Sequence, residues 1–164
     1  FFENLDAILE IRKKSANIKE LLQHKPFKNT IIAFSLAPQN AIEKFEYFTP
    51  NLTRRIEALK LLDNAGFNIG IRFDPFFCEF LNQYESFVSF LKQLKHLHSI
   101  EIGFLRFSKN EYKIFLDKNP AILSGMILKN NMYLSNKIEN IKYAIQNIFS
   151  DFKDKFTTIC VNLN

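Results

Sequence analysis

The stretch TIIAFSLAPQNAIEKFE, residues 30–46, combines a short apolar run with an amphipathic helical pattern. The apolar run ends at Ser35, and the helical pattern begins after Leu-Ala-Pro. A buried strand followed at once by a helix is typical of an α/β sheet, and ligands collect at the carboxyl ends of such strands. A ligand-binding hydroxyl is therefore one interpretation of Ser35, and a residue that only caps a loop is the other.

The same alternation of strand and helix continues along the whole chain. Strands are predicted over residues 7–15, 29–36, 67–76, 99–108 and 157–164, and helices over 16–24, 38–48, 49–66, 78–98, 109–120 and 138–156. In the 49–66 helix, Thr49 is the predicted N-cap, Pro50 the first residue and Gly66 the stop. Residues 121–137 are predicted to be irregular or hairpin-like. The pattern predicts one α/β domain over residues 1–164, with about five mostly parallel strands, helical crossovers on one face and no closed barrel.

The composition is that of a globular chain with a moderate excess of positive charge. There are 22 Lys and Arg against 17 Asp and Glu, which gives a formal net charge of +5. This excess permits an anionic partner such as nucleic acid without establishing one. Neither a membrane-spanning run nor a signal peptide is apparent, so no membrane partner is expected.

The two cysteines, Cys78 and Cys160, are far apart and form no C-x-x-C pattern. Their spacing argues against a disulfide scaffold and against a zinc or iron–sulfur site made only of these residues. A reducing cytoplasm is the expected location, and no iron–sulfur cluster is expected in this chain on its own.

Polar side chains, many of them cationic, follow the predicted strands where each strand ends. They are Arg12, Lys13, Lys14, Ser15, Ser35, Arg72, Asp74, Arg106 and Ser108. Because the carboxyl ends of parallel strands meet at one edge, these residues predict a polar, basic rim that suits a phosphate or carboxylate ligand. A structural ion pair of Asp74 with Arg72 or Arg106 is the alternative interpretation.

Three blocks of sequence carry a resemblance to a known family. They are LEIRKKSANIKELL (9–22), IIAFSLAPQNAIEKFEYFTPNLTRRIEALKLLDNAGFNIGIRFDP (31–75) and IEIGFLRF (100–107). The middle block is the most specific, with S-x-x-P, then E-x-x-T-P-x-L-x-x-R-I-E-A, then A-G and a strand that ends in D-P. From Leu9 to Cys160, the chain resembles the spore photoproduct lyase family of radical S-adenosylmethionine (SAM) proteins.

The resemblance implies the C-terminal part of a partial (β/α) barrel that acts in DNA repair. In the family, a C-x-x-x-C-x-x-C loop holds a four-iron, four-sulfur cluster that binds SAM, and a 5′-deoxyadenosyl radical starts repair of a thymine dimer lesion. That loop is absent from this chain and is expected upstream of Phe1, in an N-terminal part of the same polypeptide. No catalytic or metal-ligating residue is therefore assigned here, and the fragment alone is expected to be inactive. DNA is the implied partner.

The resemblance also assigns roles to individual residues. Lys14 and Ser35, with the spacing that the family requires, correspond to side chains near the methionine part of SAM. An ammonium and a hydroxyl at neighbouring strand ends can hold an amino-acid carboxylate by charge-assisted hydrogen bonds. A solvated lysine beside a capping serine is the alternative.

Candidate substrate contacts are Arg72, Arg106, Lys129 and Tyr133. Lys129 and Tyr133 lie in MILKNNMYLSNK, at the position of the family's lesion-binding hairpin, where a base could stack on Tyr133 and a phosphate meet Lys129. Arg72 and Arg106 have structural ion pairing as their alternative, and the hairpin stretch has a plain surface loop. It lacks the arginines and glycines of the well-studied lyases, which leaves open a radical SAM relative with a different substrate.

Two functions outside the family also remain open at this point. One is a non-catalytic nucleic-acid-binding α/β domain whose basic rim contacts phosphates without SAM. The other is an unrelated barrel enzyme that acts on a phosphate-bearing substrate.

Overall fold

The computed structural model describes residues 6–116, 123 and 125–160. Eight strands are described: β1 (Leu9–Lys13), β2 (Thr30–Ser35), β3 (Asn68–Phe76), β4 (Leu97–Phe104), β5 (Arg106–Ser108), β6 (Met126–Lys129), β7 (Met132–Ser135) and β8 (Phe156–Cys160). Five α-helices are described: α1 (Gln39–Phe45), α2 (Leu52–Asn64), α3 (Ser86–Leu91), α4 (Lys109–Leu116) and α5 (Ile138–Ile148). Short 3-10 turns cover Leu21–Gln23, Cys78–Gln83 and Ser150–Lys155.

The main sheet has five strands in the order β1-β2-β3-β4-β8, and every neighbouring pair is parallel. Alternate residues of these strands face the core, among them Ile32, Phe34, Ile71, Phe73 and Ile102. Helices α2, α3 and α5 contribute their apolar side chains to the same core cluster. The predicted α/β fold, with a parallel sheet and helical crossovers, is confirmed. The other face of the sheet carries the intervening residues, which include Glu10, Arg12, Arg72, Asp74 and Glu101.

Helix α2 ends as the sequence predicts but begins two residues later. The Asn51 side chain, not that of Thr49, accepts the capping hydrogen bond from the backbone N–H of Arg54 at 2.9 Å. At the other end, Gly66 has a φ of 90° and donates to the carbonyl of Asp63, while Phe67 donates to that of Leu62. This pair of bonds is a Schellman motif, in which glycine takes the left-handed conformation at low cost.

We expect Asn51→Ala to lower the free energy of unfolding by about 1 kcal/mol, because the N–H groups of the first helical turn lose their side-chain acceptor. Urea unfolding followed by circular dichroism measures the change. Asn51→Ser keeps an acceptor oxygen and should retain most of the stability. Equal losses in the two variants would contradict the capping assignment.

The predicted 78–98 helix is wrong in extent. The chain there forms the 3-10 turn Cys78–Gln83 and the short helix α3, with a non-helical φ of −109° at Phe80. The hydroxyl of Tyr84, which is fully buried, accepts a hydrogen bond from the backbone N–H of Phe77 at 3.0 Å. This contact and the stacking of Tyr84 on Phe76, at 3.9 Å between ring centroids, hold the segment against the sheet and override its helical periodicity.

The other boundaries also differ from the sequence prediction. Only the 3-10 turn Leu21–Gln23 forms within the predicted 16–24 helix. The predicted 99–108 strand divides at Leu105, so that β4 stays in the main sheet and β5 joins a second one. The last parts of the predicted 109–120 helix and 157–164 strand lie outside the described residues.

The second sheet is small and antiparallel, with the order β5-β7-β6. Strands β6 and β7 form a two-residue hairpin at Asn130 and Asn131, whose φ values are 48° and 63°. Two positive φ angles are those of a type I′ turn, which asparagine tolerates better than most residues. The hairpin predicted within residues 121–137 is thus confirmed for the described part.

Candidate functional site

Lys14 and Ser35 lie next to each other at the carboxyl edge of the main sheet. Lys13 of β1 is paired in parallel register with Phe34 of β2, so that Lys14 and Ser35 each follow by one residue. Both continue the alternation of the polar face, because Ile11 and Phe34 belong to the opposite, core-facing side. Ser35 is half-buried, whereas 39% of the Lys14 side chain is exposed.

A cavity of about 410 Å³ opens beside Lys14. Its wall is mostly apolar and includes five aromatic residues, Phe45, Tyr47, Phe77, Phe107 and Phe115. Lys14, Lys44 and Glu46 are its charged residues, whereas Ser35 does not line it. An apolar cavity with a few polar groups at one end suits a small ligand that has a charged head.

The Lys14 ammonium is held by a carboxylate. Its Nζ donates to Oε1 of Glu46 at 2.8 Å, and the other oxygen of Glu46 accepts from the buried guanidinium of Arg55. Burial raises the pKa of Glu46, but hydrogen bonds from Lys14 and Arg55 outweigh it, and the net effect is a lowered pKa. Glu46 is therefore ionised at neutral pH. Lys14 keeps two further N–H donors for a ligand carboxylate.

A network of charged side chains covers the polar face of the main sheet, farther from its carboxyl edge than Lys14 and Ser35. Arg72 donates to Glu10 at 2.5 Å and also to the hydroxyl of Ser99 at 3.0 Å, and its Nε lies 3.1 Å from Glu101. Arg12 lies 2.6 Å from Glu10 and 2.5 Å from Glu101. Hydrogen bonding to Arg72 lowers the pKa of Glu10, so this carboxyl is ionised at neutral pH.

The predicted basic rim is wrong for this part of the sheet. Glu10 and Glu101 were not singled out from the sequence, and with Asp74 they give three carboxylates beside the two arginines. Asp74 lies 3.7 Å from Arg12, not beside Arg72 or Arg106 as the sequence suggested. Arg72 is only 2% exposed, so its contacts favour the structural alternative. Polar residues at every second position of β1 and β4 are the sequence signal that could have revealed this network.

The remaining candidate substrate contacts divide between the two faces of the small sheet. Tyr133 pairs in register with Phe107 and Leu128, and its ring stacks on that of Tyr112 at 3.7 Å. Because Phe107 lines the 410 Å³ cavity, Tyr133 occupies the cavity side of this sheet. Arg106 and Lys129 are exposed and fall on the opposite face by strand alternation. The structure does not bring these two cations together with Tyr133.

Cys78 borders a second cavity of about 20 Å³, which it lines with Ser135 and which shares Phe77 and Leu105 with the larger one. Burial raises the pKa of its thiol to about 11, so that the thiol stays protonated at neutral pH. Among the described residues no group of three or more His, Cys, Asp or Glu could hold a metal ion. With two cysteines in its sequence, the chain cannot supply three thiolates to an iron–sulfur cluster.

The profile of the family described as spore photoproduct lyase matches residues 3–157. The chain belongs to the spore photoproduct lyase family. Comparison with curated proteins finds no significant match. In the described residues, no helix has both the length and the apolar character required to cross a bilayer.

Solved spore photoproduct lyases share the fold at low sequence identity. A double mutant with bound AdoMet and dinucleoside spore photoproduct has a TM-score of 0.76 and 16% identity. A complex with dinucleoside spore photoproduct has a TM-score of 0.75 and 16% identity, and a point mutant has 0.76 and 18%. Each match covers 94% of this chain and 52% of the solved one, so the chain spans about half the length of these lyases.

Proposed function

We propose that this chain is the SAM-facing and lesion-facing part of a radical SAM lyase that repairs a thymine dimer lesion in DNA. The observation that carries the proposal is the placement of Lys14 beside Ser35 at one sheet edge, with Lys14 on the wall of an apolar cavity of about 410 Å³. The donor set fits the carboxylate end of SAM, because an ammonium and a hydroxyl are good donors to a carboxylate. Family membership supports the reaction class.

In this proposal, Lys14 and Ser35 bind and orient the methionine carboxylate, while the aromatic wall excludes water from the reacting groups. SAM, when bound, supplies the 5′-deoxyadenosyl radical. Tyr133 offers the lesion a ring on the cavity side, and one face of that ring is already covered by Tyr112. Arg106 and Lys129, which are exposed, would contact the DNA backbone from the other face of the small sheet.

The iron–sulfur cluster does not fit the residues of this chain. We propose that its three cysteines lie in an N-terminal part of the same polypeptide, which would complete the barrel. The chain's half-length match to the solved lyases is consistent with this division.

We expect Lys14→Ala to weaken SAM binding by about 10- to 150-fold, the equivalent of a charge-assisted hydrogen bond of roughly 1.5–3 kcal/mol. Ser35→Ala should cost less, roughly 0.5–1.5 kcal/mol, because a neutral donor is lost. Calorimetric titration of SAM into the full-length protein, which includes the proposed N-terminal part and is reconstituted anaerobically, measures both values.

Lys25→Ala is the matched control for this titration. Lys25 is exposed and precedes the amino end of β2, so the same charge is removed at the opposite edge of the sheet. Its SAM affinity should equal that of the wild type. Unchanged affinity in Lys14→Ala would overturn the assignment of this site.

A further inference from the structure

The residues E-x-x-T-P-x-L-x-x-R, which the proposed function leaves without a role, form a network around one buried guanidinium. Arg55 is 0% exposed although it lies on a helix at the surface of the fold. Its Nε donates to the carbonyl of Pro50 at 2.9 Å, and its second terminal nitrogen donates to Glu46 and, at 2.8 Å, to the hydroxyl of Thr49. Its first terminal nitrogen donates to the carbonyl of Ser35 at 3.0 Å. We call these groups, together with Lys14, the Arg55 network.

The Arg55 network connects the two residues that are proposed to bind SAM. The guanidinium contacts Ser35 directly, through the carbonyl that ends β2. It reaches Lys14 through Glu46, whose carboxylate is 8% exposed and accepts from Arg55 on one oxygen and from Lys14 on the other. One buried group thus holds the backbone of Ser35 and, through a single carboxylate, the ammonium of Lys14.

Stability alone does not account for such an arrangement. A buried ion pair loses much of its Coulomb energy to desolvation, and an apolar pair of similar volume is often as stable. In some proteins, buried polar or ionic groups instead serve to specify a single geometry. The Lys14 side chain has four rotatable bonds, and an ordered ammonium loses less conformational entropy when it binds a ligand.

We propose that Glu46 and Arg55 are positioning residues, which hold the Lys14 ammonium and the Ser35 backbone in the geometry that receives the carboxylate of SAM. This inference rests on the proposed function for the identity of the ligand, but the ordering of Lys14 can be measured without any ligand. Arg55 does not line the cavity and acts only through Ser35 and Glu46, whereas Glu46 lies on the cavity wall and acts by orienting the ammonium of Lys14.

The first test measures the order of Lys14 in the ligand-free protein. Glu46→Gln keeps the shape of the side chain and removes its charge. NMR relaxation of the ¹³Cε–¹Hε groups of the lysines should show a restricted Lys14 terminus in the wild type and a freely rotating one in the variant. Glu43→Gln is the matched control, because Glu43 is exposed on α1, which ends directly before Glu46, accepts a hydrogen bond from Gln39 and should leave Lys14 restricted. Equal mobility of Lys14 in the wild type and in Glu46→Gln overturns the proposal.

The second test measures SAM binding in a double-mutant cycle. Contacts that orient a ligand-binding side chain are worth about 10- to 100-fold in affinity in metal sites, and we expect about 10-fold weaker SAM binding for Glu46→Gln. In a Lys14→Ala background, the same substitution should have almost no further effect on affinity, whereas a general structural defect would add to it. Additive losses of SAM affinity overturn the proposal. Tighter SAM binding by Glu46→Gln also overturns it, because the carboxylate of Glu46 would then compete with the ligand for Lys14.

A milder variant and the NMR comparison without ligand distinguish a failure of this inference from a failure of the proposed function. Thr49→Val removes one acceptor of the guanidinium at nearly constant shape, and it gives a milder form of both tests if Glu46→Gln does not fold. If the wild-type protein binds no SAM, the proposed function fails, and the NMR comparison still decides whether Glu46 orders Lys14. Restricted Lys14 motion that depends on Glu46 supports positioning in that case as well.

Discussion

Phe73→Ala is expected to lower the free energy of unfolding by about 3–5 kcal/mol, as large-to-small substitutions of buried aromatic residues do. Phe73 is 0% exposed in the central strand β3. Its ring lies 5.4 Å from that of Tyr84, 5.2 Å from Phe87 and 5.4 Å from Phe149, measured between centroids. These partners come from two separate segments, one with Tyr84 and Phe87 and the other with Phe149, which cannot both move inward to fill the space. Guanidinium unfolding followed by circular dichroism measures the loss.

Phe48→Ala provides the comparison, since it is the same substitution at a ring that is 108% exposed. Its unfolding midpoint should stay close to that of the wild type. Similar losses for both phenylalanines would mean that Phe73 does not occupy the centre of the core.

The parallel sheet could be predicted from sequence because its signal is local and repeated. β2 is an apolar run of strand length and β1 alternates apolar and polar residues, and a helical pattern of crossover length separates each strand from the next. The segment from Cys78 to Gln83 could not be predicted in the same way. Its helical periodicity is real, but the contacts of Tyr84 with Phe77 and Phe76 decide its conformation, and these depend on the packed tertiary structure.

In the candidate site too, features that depend on neighbouring residues could be predicted from the sequence, whereas contacts between distant residues could not. Alternation along β1 and β2 is enough to place Lys14 and Ser35 on one face at one edge. Alternation does not reveal which charges pair across the fold. Glu46 lies 32 residues from Lys14 in sequence, and Glu10 lies 62 residues from Arg72. Without those pairings, the residues at the strand ends predict a basic edge, because the acidic partners of Lys14 and Arg72 are distant in sequence.

Arg72→Met is expected to lower the free energy of unfolding by about 3 kcal/mol at neutral pH, the lower end of the range for breaking a buried ion pair. Methionine fills much of the space but removes one of the two guanidinium groups that contact Glu10 and Glu101. The lower end applies because Arg12 still pairs with both carboxylates, and because 26% and 15% of their side chains are exposed to water. Arg54→Met, at an exposed position on α2, is the matched control and should change stability little.

The loss in Arg72→Met should depend on pH in a definite direction. Hydrogen bonding to Arg72 lowers the pKa of Glu10 below its ordinary value of 4.5, so the ionised carboxylate stabilises the folded state above that value. This contribution disappears as the pH falls through the lowered pKa of the folded state. The difference between wild type and variant, measured by urea unfolding, should therefore be largest near neutral pH and shrink in acid. A difference that stays constant from neutral to acidic pH would show that Arg72 stabilises the sheet by packing and not through its carboxylate partners.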